Sequence, residues 1–122
     1  MFFNCQFLKT ISNINTSSGT NFSYMFFSCS SLLEVPSLNT ENGTNFSDMF
    51  YNCYALKTIP NLDVSNGTKF ANFFGNCYNL TEIPDLNTEK GTEFRAMFVG
   101  CESLLNIPKM NTSNGKDFSS MF

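Results

Sequence analysis

Five cysteines stand at positions 5, 29, 53, 77 and 101. They are the residues most able to hold a metal or form a redox pair, and both readings lack partners. A zinc site needs close pairs such as Cys-x-x-Cys, usually with histidine. Here every interval is 24 residues and there is no His at all. In a parallel stack the Cβ atoms would sit ~4.8 Å apart, beyond the usual ~3.5–4.5 Å of a disulfide. The count is also odd. The cysteines therefore read as buried free thiols, each packed as a small hydrophobe.

The carboxylates give the second candidate chemistry. Glu34 and Glu82 share one column and Glu41 and Glu89 another, two units apart. That separation, ~10 Å in a stack, is near the upper end of what inverting glycosidases use. No partner base accompanies them, and without histidine no nucleophile–base pair can be assembled at a recognisable spacing. A solvated charged face is expected, and not an enzyme. The stretch at Asp63, DVSNGT, lacks the glycine register and bidentate Glu of a calcium loop. Asn-x-Ser/Thr triplets, as at Asn15, Asn45 and Asn111, read first as turn chemistry. No metal or cofactor is expected.

What positions these residues is a repeat. Met-Phe at 1, 25, 49 and 97, and Phe-Phe at 73, divide the chain into units 1–24, 25–48, 49–72, 73–96 and 97–120, with 121–122 opening a sixth. The whole chain reads as a single array of these units. Phe2, Phe26, Phe50, Phe74 and Phe98 form one column, the cysteines a second, and Leu8, Leu32, Leu56, Leu80 and Leu104 a third. Gly19, Gly43, Gly67, Gly91 and Gly115 precede a column of Phe at 22, 46, 70, 94 and 118. A period of this size lies within the range of leucine-rich repeats and below that of helical repeats.

Within a unit, Phe46, Met49, Phe50 and Cys53 fall at i, i+3, i+4 and i+7, the apolar stripe of a short helix. Thr44 is a plausible N-cap. Helices are thus expected near 21–28, 45–52, 69–76 and 93–100. The segment ALKTIPNLD predicts a strand closed by proline, with equivalents near 8–12, 32–36, 56–60, 80–84 and 104–108. The expected fold is an α/β solenoid, leucine-rich-repeat-like, with five units carrying short parallel strands on one face and short helices on the other.

The pattern Met-Phe-x-x-Cys-x-x-Leu-x-x-Ile, followed by a small polar turn and Phe-Ser-x-Met-Phe, resembles the BspA-like leucine-rich repeat surface proteins over the entire chain. The resemblance implies a curved solenoid within a larger bacterial surface protein. It further implies an extracellular or cell-surface location, with roles in adhesion and protein binding.

Composition narrows the partners. Net charge is −3, with 15 Phe and no Trp. No cationic field exists to hold nucleic acid or an anionic membrane. No apolar run approaches the ~20 residues of a membrane span, and the first residues lack the character of a signal peptide. Neither end carries a polar closing unit, so the chain is expected to be an excerpt whose neighbours are further repeats of a longer array. Variable positions on rigid columns mark a candidate face for a protein or glycan ligand on a cell surface: Lys9, Glu34, Lys57, Thr58, Asn61, Glu82, Asp85, Asn106 and Lys109. An aromatic flank of Phe27, Tyr51, Tyr54 and Tyr78 is a second candidate, because other units carry small or polar residues there. The alternative function is a structural spacer with no ligand of its own.

The columns separate inward from outward residues, and this can be tested. Phe50→Ala should cost ~3–5 kcal/mol through the cavity it leaves, and Tyr51→Ala much less. Equal shifts of the urea midpoint would contradict the assignment.

Overall fold

The structure, a computed structural model, describes residues 1–122. Its unit is one 24-residue rung, and each rung lies in register on the next. The stacking is visible in the hydrogen bonds. Phe22 N–H donates to Asn45 C=O (2.9 Å), Phe46 to Lys69 (2.9 Å), Phe70 to Glu93 (2.8 Å) and Phe94 to Asp117 (2.8 Å).

Residues 22–29, 46–53, 70–77 and 94–101 form a ribbon of tight turns, not the expected helices. In a helix every N–H would return to its own chain four residues back. Here the N–H groups divide. Those of Phe46, Asp48, Phe50 and Asn52 donate to the next rung, at Lys69, Ala71, Phe73 and Gly75. Those of Met49, Tyr51 and Cys53 return three residues, to Phe46, Asp48 and Phe50. The remaining N–H, on Ser47, is taken by the Asn45 side chain (3.0 Å). Every donor of residues 46–53 is thereby satisfied. Turning this way requires left-handed residues at two columns: Tyr24, Asp48, Asn72, Ala96 and Ser120, and Asn4, Ser28, Asn52, Asn76 and Gly100. Eight of these ten are Asn, Asp, Ser or Gly, mostly types that tolerate positive φ. Thr44 caps no helix; its hydroxyl and N–H both reach Thr20 C=O in the rung before.

The other long side of each rung is an extended arm, at 33–40, 57–64, 81–88 and 105–112. The expected strands do not form there. One bond per rung crosses at the start of the arm: Leu33 N–H to Lys9 C=O (3.0 Å), Lys57 to Leu33 (3.4 Å), Thr81 to Lys57 (3.1 Å) and Leu105 to Thr81 (3.2 Å). Beyond that point Pro36, Pro60, Pro84 and Pro108 have no N–H to offer, and the arms run without a ladder. The exception is Leu86 N–H to Lys109 C=O (3.0 Å). Sheet pairing is confined to isolated parallel bridges, along Asn21, Asn45, Lys69, Glu93 and Asp117 and at Leu86 with Met110. The architecture is accordingly not an α/β solenoid with strands on one face and helices on the other. It is a stack of turned rungs in irregular backbone.

Side chains supply the cohesion that regular structure would have provided. Phe2, Phe26, Phe50, Phe74, Phe98 and Phe122 make one continuous column, with centroids 5.4–5.9 Å apart and near-parallel rings. Phe22, Phe46, Phe70, Phe94 and Phe118 make a second, at 5.4–5.7 Å. Those separations exceed a backbone rise of ~4.8 Å, the sign of offset stacking. Phe73, standing where other rungs carry Met, wedges tilted against both columns. Thr16, Thr40 and Thr88 are buried, and each hydroxyl donates to a carbonyl of the following rung, at Asn39, Asp63 and Asn111 (2.7–2.8 Å). Val64 holds this position in the third rung and makes no such bond.

The recurrent glycines answer to space, not to backbone angle. Gly43 closes a turn through its N–H to Thr40 C=O (2.8 Å) without a positive φ. A Cβ there would stand 2.5 Å from the Phe46 ring and 2.9 Å from that of Phe22. Gly43→Ala should therefore force the Phe column apart and destabilise by about 1–3 kcal/mol. An unchanged urea midpoint would show that the rings give way freely.

Candidate binding surfaces

Along the arm side of the second to fourth rungs, every third side chain up to the leucine beyond the proline faces in. Leu80, Ile83 and Leu86 enter the core, while Glu82 and Asp85 face solvent. With little backbone pairing between arms, a groove of about 330 Å³ opens across the third to fifth rungs. Thr58, Glu82, Asp85 and Asn106 line it over a floor that includes Ile83, Pro84 and Pro108. The Asp85 carboxylate accepts the Lys109 N–H (2.9 Å), which ties two adjacent arms together. Lys109 lies in an adjoining hollow that shares Asp85. Lys9, Glu34, Lys57 and Asn61 are exposed on the same columns but line neither depression. Four of the nine candidate residues thus meet at one place.

The aromatic flank resolves into two ladders. In the first, Phe3 stacks on Phe27 (4.9 Å) and Phe27 on Tyr51 (5.4 Å), with Tyr24 tilted beside them. It ends at Gly75, where a Cβ would stand 2.6 Å from the Tyr51 ring. In the second, Tyr54 stacks on Tyr78 (5.1 Å). Between the ladders run the left-handed residues Ser28, Asn52 and Asn76, linked by Asn52 Nδ2 to Ser28 Oγ (3.3 Å) and Asn76 Nδ2 to Asn52 Oδ1 (2.9 Å). The parallel column holds Asn72 Nδ2 to Asp48 Oδ1 (3.0 Å). Burial raises the Asp48 carboxyl above the usual range, against the pull of Asn72, Tyr24 and Arg95. The Asp48 charge in turn pushes the Tyr24 phenol up. Tyr24 and Gly75 belong to the flank and were not among the residues singled out from sequence. A glycine one unit after Tyr51 was the available signal.

All five cysteines are free thiols. Cys29, Cys53, Cys77 and Cys101 each donate Sγ–H to a carbonyl of the preceding rung, at Phe2, Phe26, Phe50 and Phe74 (3.0–3.1 Å). Burial pushes the Cys29 and Cys101 thiols up to about 11, and those of Cys53 and Cys77 further still. No three His, Cys, Asp or Glu side chains converge to hold a metal. No helix is long and apolar enough to cross a membrane.

A family model described as "Mycoplasma protein of unknown function, DUF285" matches residues 1–82 and again residues 33–122, and the chain belongs to that family. No curated protein and no solved structure matches it.

The thiolate, not the thiol, is the nucleophile, so the buried cysteines should resist alkylation in the native protein and all five should react in urea. The pH dependence follows from the same shifts. Raised folded values keep the thiols neutral, while the unfolded chain ionises from its ordinary value of 9.0. Their stabilisation is complete below that pH and is lost as pH climbs toward the folded values. The urea midpoint should fall through that window. Alkylation of native Cys53 at the unfolded rate would overturn the assignment.

Proposed function

We propose that this member of the DUF285 family is a non-catalytic recognition module of a cell-surface protein, binding a protein or glycan through the arm groove. The observation that carries the reading is the groove itself, where Thr58, Glu82, Asp85 and Asn106 meet. These outward positions vary from rung to rung over an invariant core, the pattern by which stacked repeats present extended binding surfaces. Resemblance to the BspA-like surface proteins supports the surface location and a role in adhesion. The lack of histidine, the commonest general base, favours binding over catalysis.

A second reading, a spacer with no ligand, draws on the two uninterrupted Phe columns, which suit a stiff rod. Arrays of cell-surface proteins and glycans separate the two. The recognition reading expects a reproducible ligand whose signal falls at least about tenfold in Glu82→Lys, a loss of roughly 1.4 kcal/mol. Glu82 is exposed and holds no rung together, so the variant should fold normally. A ligand bound equally by Glu82→Lys would remove the groove from the site, and an empty array would favour the spacer.

A further inference from the structure

The two outer aromatic ladders end differently. Tyr51 is covered at its far side by Gly75. Gly100 approaches only one edge of Tyr78, where its Cβ would lie 3.4 Å away, and the ring stays exposed. The other end of the Tyr54–Tyr78 ladder meets no such cover. One rung before Tyr54 the column holds Ser30, and one rung before that Gln6. A ring is therefore missing from the ladder, and a cavity of about 330 Å³ stands in its place, lined by Gln6, Ser28, Ser30, Asn52 and Tyr54.

We propose that this slot binds a neutral pyranose ring, stacked on the open face of Tyr54 as the ladder's next member. The inference goes beyond the groove reading above: it adds a second site, which shares no residue with the groove, and names its ligand class. Each wall supports the assignment. The Tyr54 face offers an apolar plane whose opposite side is already stacked on Tyr78 at 5.1 Å, so the ring is held before anything binds. The rim is polar and uncharged. Ser28 Oγ accepts from Asn52, which leaves its own hydroxyl hydrogen to donate. Asn52 retains a second N–H. Gln6 uses Nε2 on Asn4 (3.0 Å) and keeps Oε1 as a free acceptor. Ser30 Oγ donates to Gln6 C=O (3.3 Å) and keeps its lone pairs.

A pyranose has an apolar face and a rim of hydroxyls that both donate and accept, which matches this lining group for group. An aromatic side chain would stack equally well but would strip water from the amides and hydroxyls without replacing their bonds, a net cost. No lysine or arginine lines the slot to receive a phosphate or carboxylate, so charged sugars and nucleotides are the poorer fit.

The test is an NMR titration of the whole chain with a panel of neutral methyl pyranosides, read at the Tyr54 ring resonances. At least one member should shift Tyr54 saturably. Tyr54→Phe should retain binding, because the ring face and not the hydroxyl is used. Tyr54→Ser should weaken binding at least about tenfold, as loss of one stacked ring does elsewhere. Ser30→Tyr should abolish binding by filling the slot, and it should fold, since the third and fourth rungs carry Tyr in this column. Binding that survives Ser30→Tyr, or silence at Tyr54 across the panel, would overturn the proposal. So would saturable binding of N-acetylphenylalaninamide in place of every sugar. The two readings fail separately. Glu82→Lys should leave the Tyr54 titration unchanged, and an array ligand lost in Glu82→Lys would uphold the groove even if the slot took no sugar.

Discussion

The structure depends on how the ribbon divides its N–H groups. Donors at Phe46, Asp48, Phe50 and Asn52 point along the stack, and those at Met49, Tyr51 and Cys53 turn back within the rung. A chain that sent every donor inward would be a helix and would leave its neighbours bound by side chains alone. One that sent them all outward would be a strand and could not turn so tightly. The division permits both turning and stacking, and its requirement is the left-handed residue at two places per rung. Those places explain why asparagine, aspartate, serine and glycine sit in the middle of an otherwise apolar phrase. They also show where the design is under strain, since Tyr24 and Ala96 adopt the same φ without a local side-chain bond to favour it.

This division explains which parts of the fold were legible in the sequence. The period, the buried columns and the fate of the cysteines follow from residue type and spacing, because burial in a stack depends only on the repeat. The ribbon's local form does not follow from that spacing. Phe46, Met49, Phe50 and Cys53 point inward in a ribbon of tight turns as they would in a helix, so the stripe cannot tell the two apart. Asp48 and Asn72 inside the supposed helices were the discriminating signal, being poor helix formers that tolerate the left-handed region; Asn52, Asn76 and Gly100, at their last residues, would suit a helix stop as well. The strands failed for a related reason. Ile59 and Leu62 do point inward from an extended arm, but Pro60 between them removes the donor that pairing needs. Extension was readable and pairing was not.

The surfaces were legible to a lesser degree. Variation within a column identifies a residue the fold does not demand, which is how Glu82, Asp85, Tyr54 and Tyr78 could be singled out. It does not say which variable residues meet. That depends on the gaps between arms, set by the sparse backbone bonding beyond Thr81 and by the few ties there, among them Lys109 N–H to Asp85 and Leu86 N–H to Lys109 C=O. Lys9 and Glu34 share the columns of the groove residues and yet lie outside it. The arms can vary because they owe little to one another: their inward residues are fixed by the core, and few of their outward ones hold a rung in place.

In a repeat of this kind, specificity has to come from departures from the repeat. Rungs with identical outward residues would present a uniform surface, and a ligand would find no reason to prefer one step of it. The outer ladders show how a single substitution breaks that uniformity. Glycine at position 75 lets backbone close over Tyr51 and ends that ladder, whereas one rung after Tyr78 the column holds Glu102 and the ring stays exposed. Serine at position 30 is small enough to leave the space beside Tyr54 open, and the backbone does not move in to fill it. The inner Phe columns allow no such variation, because a missing ring there would leave a cavity shared by two neighbouring rungs. On the outer columns the same omission faces solvent and costs little. Individual surface features can therefore be written into this stack one outward residue at a time, while the inward residues keep every rung the same.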